Sequence, residues 1–265
     1  MKIRHLIGIT ALSLIAMLIL LFFIFLFSDA DEQFLMVALN LVFYGFIPVI
    51  FFRYHFRKQG ISVHQVVYTR GIKRWMPSIL GIVIISMAFS LSTFWLFLYS
   101  LNPIFPSAVN FLLEGVLMPE NGFYLAFEII AITILAPIVE EFVFRGVILH
   151  RLIGKTSVWG GILISSLLFG ILHVDIIGAF LFGIITSLLF IKTGNLLIPI
   201  IMHMLNNTIA VVLMFVAPTW PDWLSILEQS DVTTKAFPNA ILLVVSSILT
   251  GYIVYRLAKK NRIIS

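Results

Sequence analysis

Long runs of apolar residues constrain this chain more than any other feature of its sequence. Eight runs have about the 20-residue length that a transmembrane helix needs, and they lack the short alternating pattern of membrane barrel strands. They are Leu6–Phe27, Phe34–Phe52, Pro77–Leu101, Phe123–Leu149, Val158–Leu172, Ile176–Ile191, Leu196–Val216 and Ala240–Tyr255. The sequence therefore predicts an all-α integral membrane protein with about eight transmembrane helices, in one polytopic domain over residues 1–265.

The composition indicates the same class of protein. Hydrophobic residues make up 61% of the 265 positions and charged residues 11%, against about 45–50% and about 25% in soluble domains. These values exclude a soluble enzyme and a disordered chain. Because the chain has no cysteine, a disulfide scaffold, thiolate catalysis and thiolate metal ligands are excluded as well.

The positive charges mark one side of the membrane. When the eight segments are threaded in and out, 16 of the 17 Lys and Arg residues fall in one set of loops, and Lys235 falls in the other with most of the acids. Cytoplasmic loops are rich in Lys and Arg, so we expect both termini in the cytoplasm and the protein in the cell membrane. The net charge of +5 is then a topology signal that also attracts anionic membrane lipid, and we expect no nucleic-acid partner.

The first apolar run has a second interpretation. Lys2 and Arg4 before Leu6–Phe27 also fit a signal peptide. The run is longer than a usual signal core, no A-x-A cleavage site follows it, and its loss would reverse the orientation of the other seven segments. We therefore interpret it as the first transmembrane helix.

Polar side chains inside three of the segments carry the functional signal. A charged side chain at bilayer depth costs about 2.5–3.5 kcal/mol, so it needs a partner or a use. The residues are Glu140 and Glu141 in the fourth segment, His173 at the end of the fifth, and His203, Asn206 and Asn207 in the seventh. Taken singly, a membrane histidine or asparagine is more often a hydrogen bond between helices. The whole set, in so apolar a chain, predicts a site.

Helical spacing assigns roles within this set. Glu141 and Arg145 are four residues apart with the acid first, which favours a buried, orienting ion pair. Glu140 points about 100° away from Glu141 and is free to face the interior of the bundle. His203 and Asn207 are likewise four apart, so that an imidazole and a carboxamide reach the same place.

Three other polar residues are given simpler interpretations. Asn206 is the weaker candidate of the asparagine pair. Glu128 is interpreted as a residue of the outer membrane interface. Asp175 is interpreted as the cap of the turn between the fifth and sixth helices.

The residue types favour hydrolysis by activated water. A carboxylate and imidazoles without a neighbouring serine, cysteine or lysine nucleophile are not typical of a covalent intermediate. Glu140 is then the general base, kept ionised by Arg145, and His173 holds the same water or passes on its proton. His203 and Asn207 donate to the oxyanion of amide hydrolysis. Zinc held by Glu140, His173 and His203 is the competing assignment, although the H-E-x-x-H spacing is missing.

Three motifs occur in order on separate predicted helices. They are Glu140-Glu141-x-x-x-Arg145, Phe169-x-x-x-His173 and His203-x-x-x-Asn207. This pattern resembles the CPBP (Abi-like) family of intramembrane proteases, which includes CAAX prenyl proteases and bacteriocin-processing enzymes. The resemblance covers about Phe123–Val216, and the remaining segments match only in being apolar.

The resemblance implies a bundle of eight helices, an intramembrane active-site cavity open to the cytoplasm, and peptidase activity. By analogy, Glu140 and His173 activate water, and His203 with Asn207 forms the oxyanion hole. The family has been described as glutamate-dependent and as metal-dependent, so zinc stays open. Residues 123–216 are expected to form the catalytic helical core.

The depths of the site residues set one condition on this interpretation. At about 1.5 Å per residue, Glu140 and His203 lie near the midplane of the membrane. His173 lies about 27 Å along its helix from Lys155, which places it beyond the depth of Glu140 and His203. We therefore expect the fifth and sixth segments to form a short or tilted hairpin with a buried turn, and the fifth helix to begin below the membrane. Otherwise His173 does not meet Glu140.

Two functions from different classes fit the sequence. The first is an intramembrane endopeptidase that cuts a membrane-associated or lipidated peptide, such as a pheromone or bacteriocin precursor. The alternative is a non-catalytic protein, either a scaffold or bacteriocin-immunity protein or a proton-coupled carrier. The chain shows no inverted repeat of the kind that carriers use. A scaffold tolerates Glu140→Gln, and a protease does not.

Overall fold

The described part of the chain is helical. The computed structural model describes residues 32–60, 62–114, 119, 121–216 and 219–260, together with Gly8, and it contains no strand in these ranges. The helices are α1 Gln33–Gln59, α2 Val63–Val66, α3 Ile72–Leu101, α4 Pro106–Glu114, α5 Gly122–Ile153, α6 Val158–Ile171, α7 Ile176–Thr193, α8 Leu197–Val216, α9 Asp231–Thr234 and α10 Ala236–Lys260. Apart from Gly8, the first predicted helix, Leu6–Phe27, lies outside the described residues, as do both termini.

Six of the described helices are long and apolar enough to cross a membrane, namely α1, α3, α5, α7, α8 and α10. The protein is therefore a multi-pass integral membrane protein, and the all-α class is confirmed. The total of eight spans and the cytoplasmic position of the termini remain predictions.

The fifth predicted segment is a short helix. Helix α6 has 14 residues, about 21 Å at 1.5 Å per residue, which is less than the hydrocarbon thickness. It forms a hairpin with α7, as the depth of His173 requires. The expectation that the turn is buried is wrong for its apolar residues, because Leu172 is 73% and Val174 66% exposed. These side chains point out of the bundle, while His173 and Asp175 are half-buried on the inner side.

Side-chain caps and glycines fix the ends of this hairpin. Ser157 Oγ accepts the N–H of Gly160 at the start of α6, and Asp175 Oδ1 accepts the N–H of Gly178 at the start of α7, each at 3.0 Å. Helix α7 ends at Gly194, whose φ of 62° lies in the left-handed region that favours glycine.

Helix α7 is the central helix of the bundle, and small residues bring α6 close to it. Residues of α7 such as Ile185, Leu188 and Leu189 are completely buried. A Cβ added to Gly183 of α7 would lie 2.9 Å from the Cβ of Ser166 of α6, so only glycine fits there. This close packing holds the turn that carries His173 against the interior of the bundle.

Candidate active site

Three helical elements bring one carboxylate and two imidazoles together. Glu140 comes from the middle of α5, His173 from the turn after α6, and His203 from α8. The Nε2 atoms of His173 and His203 each lie 3.9 Å from Oε2 of Glu140. This oxygen is buried and has no hydrogen-bond partner among the described residues. His173 therefore meets Glu140, which was the condition set by the sequence.

The second nitrogen of each histidine fixes its orientation. His173 Nδ1 lies 2.8 Å from the carbonyl oxygen of Phe169, and His203 Nδ1 lies 3.0 Å from Oε1 of Glu141. A carbonyl and a carboxylate oxygen only accept hydrogen bonds, so both Nδ1 atoms carry a proton. In neutral imidazoles both Nε2 atoms then hold lone pairs. Three acceptor atoms thus face one small space, which suits a hydrogen-bond donor or a cation.

Glu141 and Arg145 form the ion pair expected from their spacing. Arg145 Nη1 donates to Glu141 Oε1 at 2.9 Å, and the two residues are 1% and 0% exposed. The same Oε1 accepts from His203 Nδ1. Glu141 therefore holds His203 in place as well as neutralising Arg145, a link that helical spacing within one segment does not reveal.

Arg145 also ties α5 to α6 and α7. Its Nη2 donates to the carbonyl of Gly183 at 3.4 Å and to the hydroxyl of Thr186, both on α7. Its guanidinium lies 4.7 Å from the ring centre of Phe169 on α6, a favourable cation–π distance. Phe169, the first residue of the Phe169-x-x-x-His173 motif, thus contacts Arg145 with its ring and His173 with its backbone carbonyl.

Asn207 is bonded to an unusual carbonyl of α5. Residues Ala131–Leu135 are π-helical, and the N–H of Ala136 bonds to the carbonyl of Ala131, five residues back. In that register the carbonyl of Ile132 faces position 137, where proline has no N–H. Asn207 Nδ2 donates to this carbonyl at 2.9 Å. The carboxamide therefore has a structural partner in addition to any role in catalysis.

The residues with simpler interpretations have specific partners. Asp175 caps α7, as expected, and its second oxygen accepts from the hydroxyl of Ser90 on α3. Glu128 accepts from Asn40 Nδ2 at 2.8 Å and so connects α5 to α1. Asn206 Nδ2 lies 3.4 Å from Asn207 Oδ1, and both asparagines line the same cavity beside His203.

Two serines of α3 belong to the site region and were missed by the sequence interpretation. Ser86 and Ser90 line a polar cavity of about 180 Å³ together with His173, His203 and the two asparagines. Serine is uncharged and common in membrane helices, so single residues gave little signal. Their spacing of four, which places both hydroxyls on one face of the third segment, was the available clue.

The site has zinc-like donor types but not zinc-like spacing. Two imidazoles and a carboxylate are frequent zinc ligands, and ligand atoms about 2.0–2.1 Å from a tetrahedral zinc lie about 3.3 Å apart. Both nitrogen–oxygen separations here are 3.9 Å. Within the described ranges, no group of three His, Asp or Glu side chains is placed to hold a metal ion. The spacing instead leaves room for a small molecule between the donors.

A helical membrane bundle with a partly buried Glu–His–His cluster is the class that the fold and site define. Residues 122–209 match the family model of the Rce1-like type II CAAX prenyl endopeptidases. This match confirms the resemblance to the CAAX protease group that the three motifs indicated.

Three curated relatives match the same region. The chain is 36% identical over 88 residues to YdiL of Bacillus subtilis (strain 168), named as a proposed membrane peptidase, covering 32% of this chain and 36% of YdiL. It is 38% identical over 89 residues to an uncharacterised 24.3 kDa protein of Escherichia coli, covering 31% and 41% of the two chains. It is 36% identical over 96 residues to the membrane-embedded CAAX protease MroQ of Staphylococcus aureus (strain USA300), covering 33% and 39%. The matches thus span about two fifths of each relative, and no solved structure matches.

Proposed function

We propose that this chain is an intramembrane endopeptidase that hydrolyses a peptide bond of a membrane-associated substrate. The observation that carries the proposal is the convergence of Glu140 Oε2 and the two histidine Nε2 atoms on one space inside the bundle. Water donates two hydrogen bonds, which match the two acceptors Glu140 Oε2 and His173 Nε2. The similarity to a membrane-embedded CAAX protease supports a peptide or protein as the substrate. We assign the catalytic core to residues 123–216.

In the proposed reaction, Glu140 activates the water. One water hydrogen is directed to Glu140 Oε2 and the other to His173 Nε2. As the water oxygen attacks the scissile carbonyl carbon, its proton passes to Glu140, and a tetrahedral intermediate with an oxyanion forms. Collapse of this intermediate breaks the C–N bond, and the proton on Glu140 passes to the departing amine. The products are a carboxylic acid and an amine, and Glu140 returns to its ionised form.

His203 and Asn207 are proposed to stabilise the oxyanion. Because His203 Nδ1 is bonded to Glu141, its Nε2 donates only when the imidazole is doubly protonated. Glu140 and Glu141 carry two negative charges and Arg145 one positive charge, so a protonated His203 makes the cluster neutral. Asn207 has a second amide hydrogen beyond the one bonded to Ile132. These donors are held in place before the reaction, so they can stabilise the developing negative charge without reorganising.

Metal dependence is tested directly. Because the donor separations do not fit zinc, we expect peptidase activity of the purified protein to survive dialysis against a strong chelator. The metal content of the active preparation, measured by mass spectrometry, should be well below one equivalent. Loss of activity that added Zn²⁺ restores would assign Glu140, His173 and His203 as metal ligands instead.

An apolar groove between α1 and α5 is the proposed binding place of the substrate. It has a volume of about 710 Å³, and its walls include Tyr44, Phe52, Phe56, Val139 and Phe142. Val139 precedes Glu140 in the chain, so one wall of the groove belongs to the helical turn that carries Glu140. A cleft of this size and character suits a hydrophobic peptide segment or a lipid attached to it. Lipidated peptides, pheromones and bacteriocin precursors are the proposed substrates.

The test compares peptide ends in cells that express matched variants. Wild type, Glu140→Gln and Glu128→Gln are brought to equal membrane abundance, and newly formed termini are identified by terminal proteomics. Glu128 is a matched control because it lies on the same helix and is bonded to Asn40 away from the site. Termini present with wild type and Glu128→Gln but absent with Glu140→Gln support the peptidase. Identical termini in all three, with a host phenotype that Glu140→Gln rescues, support the scaffold or immunity alternative.

A further inference from the structure

A polar cavity lies on the histidine side of Glu140, away from the apolar groove. It has a volume of about 180 Å³, and its polar walls come from Ser86, Ser90, His173, Asp175, His203, Asn206 and Asn207. The groove is lined by Val139 and Phe142, the neighbours of the Glu140–Glu141 pair. The helical turn that carries Glu140 therefore contributes to the wall of the groove, and the two histidines that face Glu140 contribute to the wall of the polar cavity.

Ser86 is a residue of this cavity that the proposed reaction does not use and that has no partner of its own in the described part of the chain. It is 7% exposed, and its hydroxyl has no hydrogen-bond partner among the described residues. A helical serine commonly bonds to a carbonyl of the preceding turn. Ser90, one turn further along α3, donates instead to Asp175. The Ser86 hydroxyl is thus a buried donor and acceptor at the wall of the cavity.

The size and polarity of the cavity identify what fills it. One water molecule occupies about 30 Å³ in the liquid and needs two to four polar partners, so the cavity has room for several molecules and offers seven polar side chains. Buried hydroxyl groups are nearly always hydrogen-bonded to protein or water. We propose that this cavity is filled with water, that Ser86 binds that water, and that the cavity supplies the water consumed at Glu140.

The supply role rests on the proposed function. Each hydrolysis consumes one water molecule, whose hydroxyl joins the acyl fragment and whose hydrogen joins the amine. A hydrophobic substrate in the groove closes the apolar side of Glu140 to water. Replacement water then reaches the site past His173 and His203, which line the polar cavity.

The absence of cysteine in the native sequence makes a direct test of water content possible. Three single-cysteine variants of the full chain are made, namely Ser86→Cys, Ala179→Cys and Ser187→Cys. Each is reconstituted in bilayers and reacted with methyl methanethiosulfonate, a small reagent that is attacked by thiolates. Ala179 lines the cavity from α7. Ser187 is a matched control, because it is fully buried, lacks a hydrogen-bond partner among the described residues, and lies outside the cavity wall.

A water-filled cavity ionises a thiol far better than a dry interior. We expect Ser86→Cys and Ala179→Cys to react about tenfold or more faster than Ser187→Cys, at a rate that rises with pH through the range of a hydrated thiol. Equally slow labelling of all three positions, in protein that elutes as the wild type does, would overturn the proposal. This measurement needs no substrate, so its result is independent of whether the chain is a peptidase.

The supply role is tested by activity. On a substrate found by terminal proteomics, Ser86→Ala is expected to lower kcat about three- to tenfold, the usual effect of one neutral hydrogen bond, with little change in KM. Ser187→Ala is expected to leave kcat unchanged. Fast labelling at Ser86→Cys together with an unchanged kcat of Ser86→Ala would overturn the supply role, whereas failure to find any cleavage would instead contradict the proposed function.

Discussion

At the residue scale, the site depends on one carboxylate that accepts hydrogen bonds from two side chains. Glu141 Oε1 accepts from Arg145 and from His203, and both members of the ion pair are almost completely buried. Such a pair is expensive to break on one side, because the remaining charge stays buried without compensation. Removing both charges is much less costly. Glu141 is therefore a positioning residue whose effects on stability and on catalysis are separable.

We predict that Glu141→Gln lowers the free energy of unfolding by about 3–5 kcal/mol, since it leaves Arg145 uncompensated. The double variant Glu141→Gln/Arg145→Gln is predicted to regain most of this stability. It should remain inactive, because His203 loses its charged partner. Thermal unfolding in detergent micelles measures the stability part. A double variant that is less stable than the single variant would contradict this account of the pair.

At the element scale, the π-helical turn of α5 provides the carbonyl group to which Asn207 of α8 is hydrogen-bonded. Pro137 leaves the Ile132 carbonyl without a backbone donor, and Asn207 supplies one. In the wild type, a structural and a catalytic role of Asn207 cannot be told apart by substitution alone. Pro137→Ala separates them, because it restores an N–H at position 137.

We predict that Asn207→Ala destabilises the wild type by about 1–3 kcal/mol, the cost of a half-buried carbonyl left without a partner. In the Pro137→Ala background the same substitution should cost much less stability. The loss of peptidase activity should persist in both backgrounds if Asn207 also donates to the oxyanion. Recovery of full activity in the double variant would show that Asn207 has only the structural role.

Asp231 stabilises the segment between α8 and α10 through hydrogen bonds and an ion pair. Its carboxylate accepts the N–H groups of Leu227 and Glu228 at 3.0 and 3.2 Å and the Lys235 ammonium at 2.9 Å. Burial opposes its ionisation, but the Leu227 N–H, the Lys235 ammonium and the Glu228 N–H outweigh burial and hold the pKa of Asp231 below its usual value. A lowered carboxyl pKa stabilises the fold above the unfolded-state pKa of about 3.9, and this contribution is lost as the pH falls through the folded-state pKa.

We therefore predict that Asp231→Asn lowers the melting temperature at pH 7, with a loss of about 1–3 kcal/mol. The difference between variant and wild type should shrink as the pH falls below about 4, where the Asp231 carboxyl of the unfolded wild type begins to take up a proton. Parallel melting curves recorded from pH 3 to pH 7 check this. A difference that stays constant over that range would show that the carboxylate charge is not the cause.

The sequence predicted more of the elements than of the contacts between them. Seven apolar segments are helices in the described residues, because hydropathy and helix length are properties of one segment at a time. The Glu141–Arg145 pair was predictable for the same reason. The bond from Asn207 to Ile132, the link from Glu141 to His203 and the position of Ser86 depend on packing between helices, which one sequence does not specify. Helix α6 was predicted as a short segment that ends at Leu172, one residue beyond its end at Ile171 in the structure.

At the scale of the whole molecule, the loops fall at two ends of the bundle. Before α3, Tyr68 hydrogen-bonds to Asn195 in the turn between α7 and α8. After α3, Gln229 Nε2 donates to Asn102 at 2.7 Å, in the segment that also holds Asp231. Lys192 belongs to the first end, since its ammonium lies 5.2 Å from the Trp75 ring. The chain thus places loops from distant parts of the sequence together at each end.

The orientation of these two ends in the membrane is the last prediction. The first end gathers the basic loops, and the positive-inside rule places it in the cytoplasm. Two single-cysteine variants test this, because the native chain has no cysteine. Lys155→Cys lies in the loop between α5 and α6 and Glu228→Cys lies between α8 and α9, and both positions are exposed. A membrane-impermeant thiol reagent added to intact cells should label Glu228→Cys at once and Lys155→Cys only after the membrane is permeabilised. The reverse pattern would place the basic end outside the cell, and the site could then not act on peptides that approach from the cytoplasmic surface.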